Sequence, residues 1–242
     1  MINPIKPRAL LLYWVCVIGC SVFSFSSETE LLESNIILGD TIRTESGLVS
    51  GSKSQEGDVH IFKGIPFAAP PIGNLRWKAP QPVSSWSGVK QCKAFGPSAM
   101  QNKPVPFSMW SEEFLIPKEP ISEDCLYLNV WTAAKSQKEK RPVLVWIYGG
   151  GFSSGGGAVP IYDGEAMAKK GIVFVTFNYR VGIIGFFAHP ELTKESANHT
   201  SGNYGLMDQI AALQWVKKNI DTFGGDADNV TIAGQSAGSM SI

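Results

Sequence analysis

The chain has 242 residues, of which 44% are hydrophobic and 17% charged, and this composition excludes a disordered protein and suffices for one large domain or two small ones. Its 21 basic side chains balance 21 acidic ones, so no net field attracts nucleic acid or an anionic membrane. The 25 glycines and 15 prolines favour many turns over long bundled helices.

The N-terminus has the layout of an export signal. Lys6 and Arg8 form a basic start, and residues 9–18 form a compact apolar run. We therefore predict a signal peptide or lipoprotein signal over residues 1–26, with residues 27–242 as the mature, secreted or periplasmic chain. A plain core helix at the N-terminus is the alternative.

A second prediction within this segment is lipidation. The sequence Val17-Ile18-Gly19-Cys20 resembles a bacterial lipobox, in which the cysteine carries the lipid, so Cys20 is a candidate for membrane attachment. The apolar stretch of residues 9–25 is shorter than the ~20 residues that span a bilayer. An uncleaved anchor is the alternative to cleavage.

The mature chain keeps two of the four cysteines, Cys92 and Cys125. Export favours a disulfide between them, because oxidising compartments preserve such bonds. Two independent buried thiols are the alternative. The sequence contains no Cys-x-x-Cys pair or histidine–cysteine cluster of the kind that binds a metal. We predict no metal and no other cofactor.

The front of the mature chain alternates short strands with irregular segments. Residues 41–50 and 59–67 are predicted strands, and the proline-rich residues 65–82 are predicted irregular. Residues 95–120 contain five prolines, and their apolar side chains follow no clean period. This segment is predicted to be a loop that either walls a substrate pocket or packs on the surface.

From residue 126 onward, buried strands alternate with helices. Strands are predicted over residues 126–132, 143–148, 172–179 and 230–233, and helices over residues 163–170 and 204–223. The second helix carries one apolar stripe, which consists of Leu206, Ile210, Leu213, Val216 and Ile220. Such alternation predicts the α/β class with a central, mostly parallel sheet.

The strongest chemical signal is Gly234-Gln235-Ser236-Ala237-Gly238, directly after the last predicted strand. The pattern is that of a nucleophile elbow, in which a serine sits on a strained turn between a strand and a helix. Small flanking residues are needed, because so tight a turn leaves no room for Cβ atoms. Ser236 is therefore the candidate nucleophile.

A second signal is the glycine run that follows Tyr148, Gly149-Gly150-Gly151. Glycines at the end of a sheet strand allow backbone N–H groups to face a ligand, as in the oxyanion hole of serine hydrolases. A dinucleotide loop would need glycine at position 154, which is Ser154. The order of the two motifs, each after an apolar strand, favours the hydrolase.

These motifs belong to a longer pattern that resembles the N-terminal half of a type-B carboxylesterase, the family that includes the cholinesterases. Order and spacing match from about residue 41 to the end of the chain. The resemblance implies the α/β-hydrolase fold, truncated here just after the nucleophile elbow. The matching segments are residues 62–68, 75–77, 122–129, 146–152, 178–180, 202–209 and 223–238.

The resemblance also implies roles for particular residues. It implies Ser236 as the nucleophile and the backbone N–H groups of Gly150, Gly151 and Ala237 as the oxyanion hole. It further implies a disulfide between Cys92 and Cys125 and a structural ion pair between Arg76 and Glu123. The triad acid and histidine would lie beyond residue 242, since His60, His189 and His199 do not match the triad position. The chain alone is therefore expected to be inactive.

The function implied is hydrolysis of small-molecule carboxylic esters by serine acyl transfer. Gln235 stands where cholinesterases carry glutamate, which argues against a cationic choline ester. A non-catalytic binding or adhesion member of the same fold is the alternative. Its distinguishing feature would be the lack of a triad histidine.

Overall fold

A mixed six-stranded sheet organises the computed structural model, which describes residues 38–242. The signal predicted over residues 1–26 and the lipidation predicted at Cys20 lie outside the described residues. Within residues 38–242, no helix combines the length and the apolar character needed to cross a membrane.

The strands and helices follow one another along the whole described chain. The strands are β1 (Thr41–Thr44), β2 (Gly47–Ser50), β3 (Ser52–Lys53), β4 (His60–Pro66), β5 (Val89–Gln91), β6 (Ser98–Ala99), β7 (Ile121–Ser122), β8 (Tyr127–Thr132), β9 (Arg141–Ile147), β10 (Val173–Phe177) and β11 (Gly225–Gly234). The helices are α1 (Glu165–Lys169), α2 (Gly182–Phe186), α3 (Pro190–Glu195), α4 (Tyr204–Asn219) and α5 (Ala237–Met240). Short 3₁₀ turns occupy Gly73–Leu75, Glu112–Phe114, Gln137–Glu139, Pro160–Tyr162 and Ile220–Phe223.

The central sheet has the strand order β11-β9-β10-β8-β4-β3. Strand β9 pairs in parallel with β10 and β11, whereas β10–β8, β8–β4 and β4–β3 are antiparallel. The prediction of a mostly parallel sheet is therefore wrong for the described residues, where three of the five pairings are antiparallel. Within the central sheet, parallel neighbours need a crossover, and the α-helices of residues 38–242 that could provide one all follow β9.

The segment predicted as one strand over residues 41–50 is a hairpin. Strands β1 and β2 pair antiparallel from Thr41 opposite Ser50 to Thr44 opposite Gly47. Strand β2 continues the pairing to β5, so these three strands form a separate small sheet. The turn at residues 45–46 divides what looked like one alternating strand.

The core lies around strands β8 and β10 and the long helix α4. Every residue of β10 is buried, as expected for a strand covered on both faces. The rings of Phe62 on β4 and Phe223 meet edge to face, with 5.1 Å between their centroids. The centroids of the Trp215 ring on α4 and the Phe223 ring are 5.8 Å apart. Phe223 thus links α4 to the sheet.

Cys92 and Cys125 are free thiols, so the predicted disulfide is not formed. Both side chains are fully buried, and the Cys92 thiol donates to the Gly64 carbonyl at 3.9 Å. Burial raises the pKa of Cys92 to about 11 and raises the pKa of Cys125 still further. Each thiol is therefore held protonated, the form that resists oxidation.

Arg76 and Glu123 form an ion pair, with Arg76 Nε 2.7 Å from Glu123 Oε2. The pair joins the turn at Gly73–Leu75 to the segment before β8. Neither side chain lines the cavity described below. The role that this position supports is structural.

Candidate active site

Ser236 occupies a strained turn between β11 and α5. Its backbone has φ 53° and ψ −123°, a combination that a residue with a side chain rarely adopts. A Cβ at Gly234 would lie 2.6 Å from the carbonyl carbon of Gly238, and a Cβ at Gly238 would lie 2.6 Å from the Tyr148 oxygen. Both glycines are thus required for the turn, as the motif predicts.

The glycine run after β9 lies directly against this turn. A Cβ at Gly149 would lie 2.5 Å from the Gln235 carbonyl oxygen and 2.9 Å from Ser236 Cβ. Gly150 and Gly151 have φ of 110° and 60°, conformations that favour glycine. Because β9 and β11 are parallel neighbours, their carboxyl ends bring the run and the serine to one edge of the sheet.

A cavity of about 510 Å³ opens at this edge, and Ser236, Gly149 and Gly150 line it. The opposite wall comes from the proline-rich segment, so the structure favours a pocket wall over a packed surface loop. Five aromatic side chains are part of the lining, and they are Phe107, Trp110, Phe114, Tyr148 and Tyr162. Among the described residues that line the cavity, Lys103 is the one charged side chain.

Buried polar side chains hold Gly157, in the loop that follows the glycine run, and no motif in the sequence indicated them. Asn178 Oδ1 accepts from the Gly157 N–H at 2.8 Å, and Thr176 Oγ1 donates to the Gly157 carbonyl at 2.8 Å. Asn129 Nδ2 donates to Thr176 Oγ1 at 2.9 Å. A polar residue inside an apolar strand, such as Thr176, is the signal that could have revealed this network, because a buried polar group needs a partner.

The three histidines lie away from Ser236, and none of them lines the cavity. His60 is on β4, which lies four positions from β11 in the strand order and next to the edge strand β3. His189 caps α3, where its Nδ1 accepts from the Glu191 N–H at 3.2 Å. His199 is exposed with φ 50°. The described residues therefore hold the candidate nucleophile without a histidine base beside it.

Two tyrosines in the lining of the cavity are held in the protonated form. Burial raises the pKa of Tyr148 well above its usual range, and burial likewise raises the pKa of Tyr162. Within residues 38–242, no group of three or more His, Cys, Asp or Glu side chains is placed to bind a metal ion. The chemistry that this arrangement supports is a serine nucleophile beside a run of backbone N–H groups.

Comparison with known proteins identifies relatives for this arrangement. The model of the carboxylesterase family matches residues 39–242. The chain is 46% identical over 229 residues to a fumonisin B1 esterase of Sphingopyxis macrogoltabida, which covers 95% of this chain and 39% of that protein. It is 45% identical over 203 residues to the para-nitrobenzyl esterase of Bacillus subtilis, with 83% and 39% covered.

Solved structures give the same result. A PNB esterase structure matches with a TM-score of 0.73 at 42% identity, over 84% of this chain and 39% of that one. A carboxylesterase of Geobacillus stearothermophilus matches with a TM-score of 0.72 at 43% identity, over 84% and 40%. The chain thus spans 39% of the length of the two curated relatives. The match over residues 39–242 confirms the resemblance seen in the motifs: this chain belongs to the carboxylesterase family.

Proposed function

We propose that this chain provides the nucleophile and the oxyanion hole of a carboxylic ester hydrolase that acts by serine acyl transfer. The observation that carries the proposal is the strained backbone of Ser236, on the cavity wall and against the Gly149–Gly151 run. The esterase names of the two curated relatives support the same reaction.

In this reaction, Ser236 Oγ attacks the ester carbonyl while a histidine accepts its proton. The backbone N–H groups of Gly150, Gly151 and Ala237 stabilise the oxyanion, and the loss of one such donor typically costs ~10²–10³-fold in kcat. The histidine then protonates the leaving alcohol, and water releases the acid from the serine. We propose that this histidine and its acidic partner lie beyond residue 242.

We propose that the substrate is a small ester with an aromatic or bulky apolar group. An apolar wall for this group is formed by Phe107, Trp110 and Phe114. An aromatic group on the substrate would gain binding free energy from pairing with these rings, beyond the gain from the area buried. No acidic side chain is among the described residues that line the cavity, so no carboxylate there would pair with a cationic substrate. A para-nitrobenzyl ester, named for the Bacillus subtilis relative, has this chemistry.

The test uses the protein expressed from its complete gene. A fluorophosphonate probe is expected to label Ser236, and the protein is expected to hydrolyse a para-nitrobenzyl ester. A Ser236→Ala variant should lose both, with hydrolysis falling by several orders of magnitude. A folded protein that is neither labelled nor active would overturn the proposal. Residues 38–242 alone, which lack the base, are expected to be inactive.

We also propose, from the sequence of residues 1–26 alone, that the protein is exported to the periplasm or the medium. Cleavage before Cys20 with lipidation would leave a membrane-attached protein, whereas ordinary cleavage would release it. The mass of the mature N-terminal peptide decides between the two, since a lipid on Cys20 adds to the expected mass. A protein that keeps Met1 and stays in the cytoplasm would contradict the proposal.

A further inference from the structure

Tyr148 and Tyr179 form a closed pair at the ends of β9 and β10. Their rings stack at 4.3 Å with an angle of 12° between the planes. The Tyr148 hydroxyl donates to the Tyr179 carbonyl at 2.8 Å and accepts from the Tyr179 N–H at 3.0 Å. The Tyr179 hydroxyl donates in return to the Tyr148 carbonyl at 3.0 Å. Both side chains are almost completely buried.

The pair fixes the peptide plane that leads into the glycine run. Tyr148 immediately precedes Gly149, so the carbonyl held by the Tyr179 hydroxyl belongs to the Tyr148–Gly149 peptide. That carbonyl lies against the serine turn, since a Cβ at Gly238 would lie 2.6 Å from it. Rotation of this peptide would move Gly149 and Gly150 relative to Ser236.

Glycine alone would not hold this plane, because glycines populate both signs of φ readily. Gly150 and Gly151 both have positive φ, so their own conformation provides little resistance to a flip. A backbone donor that turns away from the oxyanion position is lost to the reaction. A side chain that holds the peptide before Gly149 would therefore keep the N–H groups of the run in the orientation that the reaction needs.

We propose that Tyr148 and Tyr179 are positioning residues, which act through the Tyr148–Gly149 peptide to orient the N–H groups of the oxyanion hole. This inference rests on the proposed function for its effect on turnover. Its effect on the backbone of the glycine run is independent of that function.

Both hydroxyls donate to carbonyl oxygens, so each must stay protonated for the pair to hold. Burial raises the pKa of both tyrosines well above neutral pH. The pair is therefore intact across the pH range in which an esterase is assayed. An effect of its removal should be independent of pH between 6 and 9, about the range over which an ordinary tyrosine stays protonated.

Tyr179→Phe is the cleanest variant, because it deletes one hydroxyl and keeps the stacked ring. Tyr148→Phe also leaves the buried Tyr179 N–H without its acceptor, so it should perturb the site more. Tyr127→Phe is the matched control, since it removes a tyrosine hydroxyl from β8 outside the cavity wall. All three are made in the protein expressed from its complete gene.

Two measurements test the inference. With a para-nitrobenzyl ester, kcat should fall by about 10–100-fold in Tyr179→Phe and Tyr148→Phe, with KM within about twofold, because a misaligned donor affects the transition state rather than ground-state binding. Hydrogen exchange of the Ser153 and Ser154 N–H groups, which both donate to the Gly150 carbonyl at 3.1 Å, should accelerate by about tenfold in both variants and stay unchanged in Tyr127→Phe. The double variant should lose no more kcat than the less active of the two single variants, because the two tyrosines act as one group.

Unchanged exchange of the Ser153 and Ser154 N–H groups in both variants would overturn the inference, whatever the turnover. So would a kcat within about twofold of wild type in an active protein, since that would leave the pair a merely structural role. If the wild-type protein is neither labelled at Ser236 nor active, the proposed function fails. The exchange comparison still decides whether the pair positions the glycine run.

Discussion

Gln101 and Gly155 hold each other by two hydrogen bonds, one in each direction. Gln101 Nε2 donates to the Gly155 carbonyl at 2.8 Å, and the Gly155 N–H donates to Gln101 Oε1 at 2.8 Å. The same Nε2 donates to the Ala99 carbonyl at 3.0 Å. The aromatic wall of the cavity is thus tied to the loop that follows the glycine run.

Gln101→Glu should loosen the aromatic wall, because it keeps the acceptor but removes both donated bonds. Leaving a part-buried carbonyl unpaired costs about 1–3 kcal/mol. We expect KM for a para-nitrobenzyl ester to rise about tenfold, with kcat for para-nitrophenyl acetate unchanged. Gln91→Glu, on the exposed strand β5, is the control. An unaltered KM for the aromatic ester would count against this role.

Gly149→Ala should disable the site by steric conflict. The new Cβ would lie 2.5 Å from the Gln235 carbonyl oxygen and 2.9 Å from Ser236 Cβ, both closer than real Cβ contacts. Overpacking of this kind costs about 1–3 kcal/mol of stability, and the displaced serine should lower kcat/KM by about 10²-fold or more. The measurement is ester hydrolysis with thermal melting of the same samples.

Gly39→Ala is the matched control for that change. Its Cβ would meet nothing nearer than 3.9 Å, so melting and turnover should both follow wild type. A Gly149→Ala protein with wild-type kcat/KM would show that the run does not lie against the serine as described.

The serine turn and the glycine run could be predicted from the sequence because local backbone geometry dictates them. Gly238 must be glycine to pass the Tyr148 carbonyl, and Gly149 must be glycine to pass Gln235. In motifs of this kind, the steric limits of the turn determine which residue type can occupy each position, so the residue types predict the turn. Pairing directions in the sheet could not be predicted, because an apolar run such as β8 indicates burial and not direction.

The buried face of α4 was only partly predicted, for a long-range reason. Ile210 belongs to the predicted apolar stripe, yet 56% of its surface is exposed, whereas Asp208 is fully buried. Asp208 faces inward because it pairs with Arg180, which follows β10. Periodicity within the helix cannot reveal a partner 28 positions away.

Asp208→Asn should therefore be among the most destabilising single changes in the chain. Arg180 Nε and Nη2 donate to the two carboxylate oxygens at 2.8 and 2.7 Å, and the Arg180 N–H donates at 3.0 Å. Both side chains are 0% exposed, so the variant leaves a buried guanidinium without its counter-charge. We expect a loss of about 3–5 kcal/mol in the free energy of unfolding, measured with urea.

The exposed pair of Lys217 and Asp228 provides the control for that experiment. Asp228→Asn replaces an exposed carboxylate with a neutral amide. Solvent screening makes exposed ion pairs weak, so the urea midpoint should not move. Equal midpoints for both variants would show that the buried pair does not contribute as proposed.

His60 should make the stability of the fold fall in mildly acidic solution. Its pKa is lowered from the ordinary value of 6.5, first by burial and then by Lys53, and these outweigh the opposing effect of Asp40. The contact of His60 Nδ1 with Asp40 Oδ1 at 3.1 Å is thus made by a neutral ring at pH 7.

The sign of the effect follows from proton binding. As pH falls below 6.5, the unfolded chain takes up a proton that the folded chain still refuses, so the free energy of unfolding drops. The slope from one such group is at most about 1.4 kcal/mol per pH unit, and it ends at the folded pKa. Urea unfolding between pH 8 and about 5 should show a smaller decline in His60→Gln than in wild type. His199→Gln, at an exposed side chain, should follow wild type, and an identical decline in His60→Gln would contradict the assignment.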